Sequence, residues 1–416
     1  MSVTEELTPM AVAAAATVLD SVVKKTPVER SERLSDDLAT DVWLKREDLQ
    51  IARSYKVRGA YNLISSLTSD ERRLGVTCAS AGNHAQGVAY SCRMLGIHGK
   101  VFVPTTTPRQ KRQRIITIGR PWVDLVLAGS NYDEASAAAL DDAAATGSIY
   151  VHPFDDVRTI AGQGTVGVEL SEQCGPGVGT VIVPVGGGGL IAGIAVWLKR
   201  HAPGVRIVGA EPAGAASMTA ALAAGKPVAL DHIDSFVDGA AVGIVGQLTY
   251  PIVSDLVDEM VTVPEGAVCT ELLELYQTDG IIAEPAAALA SAAARRLPAV
   301  RGPVVCIVSG GNNDVSRYAD IVERSLLFEG LKHYFLVTFP QEPGALRQFL
   351  DGILGPDDDI ALFDYVKKNN RETGPALVGI ELARAGDVDA LLARMEASPL
   401  QIERVPPGSP LFTFLV

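Results

Sequence analysis

The chain is short of cysteine, of aromatic residues and of positive charge. Its 416 residues include 5 cysteines, 6 histidines and 3 tryptophans, and aromatic residues make up 6%. Cys78, Cys92, Cys174, Cys269 and Cys306 are odd in number, far apart and contain no C-x-x-C pair. That excludes a disulfide framework or a cysteine-rich zinc site and predicts reduced thiols. Lysine and arginine total 36 against 49 acids, a formal charge of −13. Such a balance disfavours nucleic acid and anionic membranes as partners and points to small molecules and copies of the chain itself. No run of about twenty apolar residues is uninterrupted, so no membrane helix is expected. The N-terminal "MSVTEELTPMAVAAAATVLD" is acidic ahead of its apolar part. It does not read as a signal peptide, and the cytoplasm is the expected compartment.

Glycine, by contrast, is plentiful at 40 residues, and four stand together in "TVIVPVGGGGLIAGIAVW", Thr180 to Trp197. A valine-rich run, a glycine loop and an apolar helical segment suit a phosphate, because the backbone can approach closely and the helix N-terminus favours an anion. A dinucleotide is one candidate owner of that phosphate. Gly187, Gly189 and Ala192 fit G-x-G-x-x-A, and Glu211 in "VRIVGAE" stands where a ribose-binding acid belongs.

The length suggests two or three domains. Up to about Leu331, strand-like runs ("GVTCAS", "HGKVFVP", "PWVDLVLAG", "TVIVPVG", "VRIVGAE", "VVCIVSGG") alternate with alanine-rich helical windows, the pattern of a mostly parallel α/β sheet. After Leu331 the texture changes. "HYFLVTFPQEPGALRQFLDGIL", "DIALFDYVKK", "PALVGIELA", "DVDALLARMEA" and "LFTFLV" read as βαββαβ, a ferredoxin-like order with "LFTFLV" as its last strand.

Several loops of the first region carry chemistry. "SYKVRGA" places Lys56 at the start of a helix; "CASAGNHAQGVAYSC" puts Ser80, Ala81, Gly82, Asn83 and His84 on a strand-to-helix turn able to hold a carboxylate; "CIVSGGNND" puts Ser309 at another strand end. Ligands of an open α/β sheet bind at the carboxyl ends of the strands, so these loops are expected to meet the glycine loop at one crevice. A lysine, a phosphate cradle, an anion site and a hydroxyl describe a pyridoxal phosphate pocket better than a nicotinamide site.

"SYKVRGA", "SAGNHAQG", "AGQGT", "PVGGGGL" and "SGGN", in this order, resemble the fold-type II pyridoxal phosphate enzymes, most closely the threonine dehydratases. The resemblance implies a tryptophan synthase β-like α/β fold with two open parallel-sheet subdomains. It implies a catalytic domain over 1–328, with the small subdomain inserted at about 52–145, and an ACT-like regulatory domain over 329–416. By the same likeness, Lys56 matches the lysine that carries the cofactor and Asn83 the asparagine at its 3-hydroxyl. Gly186, Gly187, Gly188, Gly189 and Leu190 match the phosphate loop, and Ser309 the hydroxyl facing the pyridine nitrogen. The backbone from Ser80 through Ala81 and Gly82 to His84 matches the substrate-carboxylate loop. Tyr55 stands where phenylalanine is commoner. The implied reaction takes L-threonine, and also L-serine, with isoleucine as effector and a homotetramer as the assembly; no metal is implied.

Lesser residues carry plainer readings. His84 starts a helix and lends its backbone; Glu211 reads as a strand-end acid ahead of a cation ligand, since "EPAGAAS" offers no second carboxylate; Gln163 shapes the cavity as readily as it touches substrate; Glu284 reads as a helix cap ahead of a place near the active-site wall. A serine or threonine racemase of the same fold is the closest rival, and Ala81 argues against it by standing where the serine racemases have a hydroxyl. A catabolic dehydratase would lack a use for the regulatory tail, and a nicotinamide enzyme would leave Lys56, Asn83 and Ser309 without purpose.

Overall fold

A computed structural model describes residues 7–365, 372–407, 409–412 and 415. The chain divides into two compact units, Met1–Asp314 and Val315–Val416. The first holds, in chain order, β1 (Val28–Arg30), β2 (Val42–Arg46), β3 (Val76–Ala79), β4 (Gly99–Val103), β5 (Val123–Leu127), β6 (Ile149–Tyr150), β7 (Thr180–Pro184), β8 (Arg206–Pro212), β9 (Glu259–Val263) and β10 (Val304–Val308). They form two sheets. The larger runs β1-β2-β10-β7-β8-β9 and the smaller β5-β4-β3-β6. Every pairing is parallel except β1 with β2 at the large sheet's edge.

β7 and β10 are buried along their whole length. That is why "TVIVP" and "VVCIV" read as continuous apolar runs rather than alternating ones: helices cover both faces of a parallel sheet. Val181, Val183, Ile207, Val305 and Ile307 of the large sheet pack with Ile191, Ile194 and Ile160 from covering helices. The small sheet has its own core of Val76, Cys78, Val101 and Val103 against Leu63, Ile64, Val88 and Ile115. The strands expected in this first unit are all present. β1, β2, β6 and β9 come in addition: β1 and β6 have only 3 and 2 residues, β2 is built around charges that are buried and paired, and β9 is a half-exposed edge strand.

The second unit is built from β11 (Lys332–Pro340), β12 (Asp359–Tyr365), β13 (Thr373–Glu381) and β14 (Gln401–Arg404) in the antiparallel order β12-β13-β11-β14. Helices Ala345–Ile353 and Val388–Ala397 complete the ferredoxin-like βαββαβ. The first of them buries Ala345, Phe349 and Ile353, one face at a spacing of about four, against Phe335, Val337, Phe339, Val378 and Ile380. Among the described residues the last strand is not where "LFTFLV" was expected. It is Gln401–Arg404, which pairs with Phe335–Thr338 of β11; three residues after a helix is reach enough for that edge. Leu411, Phe412 and Leu415 lie outside any strand, and Thr413, Phe414 and Val416 fall outside the described residues. The helix Tyr318–Phe328 belongs with this unit, since Glu323 accepts from Tyr334 Oη at 2.6 Å and pairs with Lys332.

Candidate active site

Lys56 opens the helix Lys56–Ser65, its entry fixed by a bond from its own amide to Ser54 Oγ at 3.1 Å. Its side chain lies in a cavity walled by Tyr55, Phe154, the glycine loop Gly186–Leu190, Gly239 and Val242. Lys56 Nζ donates to Pro153 O at 3.0 Å. Burial lowers its pKa from the ordinary lysine value to about 8, against the opposing pull of Glu284. A desolvated ammonium with no carboxylate in contact loses its proton more easily.

The glycine loop follows β7, and Gly188, the residue just before the helix, takes φ +92°, which favours glycine. The helix Gly189–His201 that it starts has no side-chain cap, and its first ladder bond is Ala192 N to Gly188 O at 3.0 Å. The amides before that bond have no partner within the helix. Thr249 Oγ1 holds Gly187 O at 2.6 Å and so fixes the loop from behind. The helix Asn83–Leu95 is also uncapped at its Gly82 end, with Ser80 Oγ accepting from Gly82 N at 3.2 Å across the turn. Two bare helix N-termini are two anion sites.

Ser309 directly follows β10 and is buried. Its carbonyl accepts from Tyr55 N at 3.2 Å, Gly311 N donates to Arg53 O at 2.9 Å, and Ser54 bridges Gly310, so the "SGGN" loop is stitched to the segment carrying Lys56. Asn83 joins the same group through Glu284 and Asn312. Burial, then the nearby Asp238, raises the Glu284 carboxyl to about 7.

Not every singled-out residue faces the cavity. His84 turns away: Nε2 meets Val151 O at 2.8 Å, and burial, then Lys56, lowers its pKa to about 3. A ring that stays neutral supports the backbone reading of this residue. Glu211 caps the helix Ser217–Ala224, accepting from Met218 N at 2.6 Å and Thr219 N at 2.9 Å. Its carboxylate thus serves a helix end, as the strand-end reading has it. Among the described residues no group of three or more His, Cys, Asp or Glu is placed to hold a metal ion. Gln163 accepts from Gly59 N at 3.3 Å between two helices. The sequence reading passed over the segment "VHPFDD". His152 Nδ1 accepts the amides of Phe154 and Asp155 at 3.3 and 2.7 Å, Phe154 lies against Gly187 and Gly189, and Asp155 caps the turn at Gln247 and Leu248. A proline-marked turn after a strand was its only signal.

Residues 19–310 match the family model for pyridoxal-phosphate dependent enzymes, and residues 323–415 match that of the C-terminal regulatory domain of threonine dehydratase. The biosynthetic L-threonine dehydratase of Mycobacterium tuberculosis is 58% identical over 95% of this chain and 93% of its own. The chain belongs to the biosynthetic threonine dehydratase family. The processed form of threonine deaminase isoform 2 from Solanum lycopersicum, 38% identical, superposes with a TM-score of 0.72 over 76% of this chain and 93% of that one. Maize serine racemase, 31% identical, gives 0.72 over 78% and 99%. Fold-type II architecture and dependence on pyridoxal phosphate follow for this threonine dehydratase homologue. The site suits that cofactor on its own geometry: an amine of lowered pKa, an uncapped helix N-terminus behind glycines, and buried polar groups in one crevice.

Proposed function

We propose that this chain converts L-threonine, and also L-serine, to the 2-oxo acid and ammonia, under feedback by isoleucine. The observation that carries the reading is Lys56: half-buried, shifted toward neutrality and lining one cavity with a glycine loop at a helix N-terminus. In this reading Lys56 carries the cofactor, the amides of Gly186–Leu190 hold its phosphate, and Asn83 and Ser309 meet its ring. The turn from Ser80 through Ala81 and Gly82 to His84 holds the substrate carboxylate with backbone amides.

When bound, the cofactor supplies an electron sink for the pair left at Cα. Lys56 then takes the Cα proton, a task its lowered pKa suits at neutral pH. The uncapped end of the Asn83 helix fixes the carboxylate and with it the direction of the Cα–H bond. The β-hydroxyl leaves as water, and water adds back to the unsaturated amine in solution. Threonine thereby divides into 2-oxobutanoate and ammonia with no net change in water.

Ala81 supports elimination over racemisation, because its methyl cannot return a proton from the opposite face. The regulatory-domain match supports a biosynthetic role with a small-molecule effector. Among the described residues no helix is long and apolar enough to cross a membrane; the cytoplasm and a homotetramer complete the proposal on the strength of the family resemblance. The test is 2-oxobutanoate release by the cofactor-loaded chain with and without isoleucine. Turnover that isoleucine suppresses supports the reading, and absence of 2-oxobutanoate overturns it.

A further inference from the structure

The amide of Asn83 is gripped at both ends, and the order of donors along the chain of bonds leaves it one orientation. Ala52 O can only accept, and Asn312 Nδ2 donates to it at 2.9 Å. The same nitrogen donates to Asn83 Oδ1 at 2.6 Å, which leaves Asn83 Nδ2 to donate to Glu284 Oε1, also at 2.6 Å. A backbone carbonyl thus decides, two side chains away, which end of Asn83 is the donor. An amide nitrogen has two hydrogens, and Glu284 takes one.

The seat of Glu284 is shaped for this task. The residue is 6% exposed, and its amide donates to Gly310 O at 3.1 Å. A Cβ at Gly310 would lie 2.3 Å from Glu284 Oε1 and 3.2 Å from Asn83 Nδ2, so the first glycine of the "SGGNN" turn gives room to this contact. The carboxylate does not cap its own helix, Pro285–Ala294, which has no side-chain cap bond.

We propose that Glu284 and Asn312 are positioning residues that lock the Asn83 amide as a donor, with its second N–H offered to an oxygen on the bound cofactor's ring. This rests on the pyridoxal phosphate reading above. It assigns work to two residues that act through a third.

The test titrates the full chain, stripped of cofactor, with pyridoxal 5′-phosphate and follows the visible band and the dissociation constant. Losing the hydrogen bond that holds the Asn83 amide should make Glu284→Ala weaken binding about tenfold and displace the band maximum. Glu284→Gln keeps an accepting oxygen and should stay near the parent in both. Asn312→Ala, at the other end of the amide, should move both in the same direction as Glu284→Ala. The decisive measurement is the cycle with Asn83→Ala: once that amide is gone, Glu284→Ala should have no further effect. Equal losses in both backgrounds, an unmoved band, or a Glu284→Gln variant as weak as Glu284→Ala would overturn the proposal. Should Glu284→Ala fail to fold, Glu284→Gln and Asn312→Ala still decide it. A parent chain that binds no cofactor would instead sink the reading beneath it.

Discussion

At the residue scale, function turns on groups whose surroundings change their chemistry. Lys56 has its pKa lowered to about 8 by burial. Only the neutral amine attacks a carbonyl, so the rate at which the stripped chain takes up pyridoxal 5′-phosphate should rise with pH and level off above about 8. A rate still climbing toward the ordinary lysine value would refute the shift. Lys56→Ala should abolish both the visible band and turnover while leaving the far-ultraviolet circular dichroism unchanged. Ala81 makes a second prediction: chiral chromatography after incubation with L-serine should find pyruvate and almost no D-serine, and Ala81→Ser should raise the D-serine share. That these residues matter was legible in the motifs; that Glu284 and Asn312 bond to Asn83 was not, because 201 positions separate Asn83 from Glu284.

The elements that carry the site are held by two devices, close helix approach and buried charge. A Cβ on Gly193 would meet Ile160 O at 2.4 Å and Gly164 N at 2.6 Å, where the helices Val157–Cys174 and Gly189–His201 cross. The glycines of "AGQGT" thus serve helix packing, and Gln163 beside them bonds to Gly59. Overpacking of this kind costs about 1–3 kcal/mol, so Gly193→Ala should lower the melting temperature by several degrees while leaving the sequence motif at the cavity untouched. Arg58, two residues after Lys56, is fully buried and bonds Glu47 Oε1 at 2.7 Å and Glu169 Oε1 at 2.6 Å. Lys45 meets the same Glu169 at 2.5 Å. Leaving one partner of such a cluster unpaired typically costs about 3–5 kcal/mol, so Arg58→Leu should cut the urea midpoint sharply. An unchanged midpoint would show the cluster to be dispensable.

For the whole molecule, the division falls between Asp314 and Val315. A cut after Phe328 would leave the helix Tyr318–Phe328 without its partner strand, so a chain ending at Asp314 is the cleaner test of control. It should retain threonine turnover and lose its response to isoleucine. In the full chain isoleucine should shift the threonine curve to higher concentration by about 5–150-fold, the range of ordinary allosteric coupling. Equal inhibition of the truncated and full chains would place the effector site in the first unit.

Local patterns sufficed for the α/β class, the change of texture near residue 331 and the two motifs, around Lys56 and the glycine loop, that line the cavity. Local chemistry was sufficient for these: continuous apolar runs specify parallel strands covered on both faces, and glycine before a helix specifies a bare anion site. It also placed the ends of β7 and β10 close to where they lie. What tertiary structure alone decided is pairing. Whether Glu211 met a ribose, a cation or a helix end depended on the fold bringing Met218 and Thr219 to its oxygens. Among the described residues the last strand of the second unit is Gln401–Arg404, which pairs with the edge that β11 offers, a pairing no local propensity announces. Likewise the orientation of Asn83 is fixed by a carbonyl at Ala52 and a carboxylate at Glu284. Hydrogen bonds between groups far apart in the chain exist only once loop closure has been achieved, and the sequence records the partners without recording the meeting.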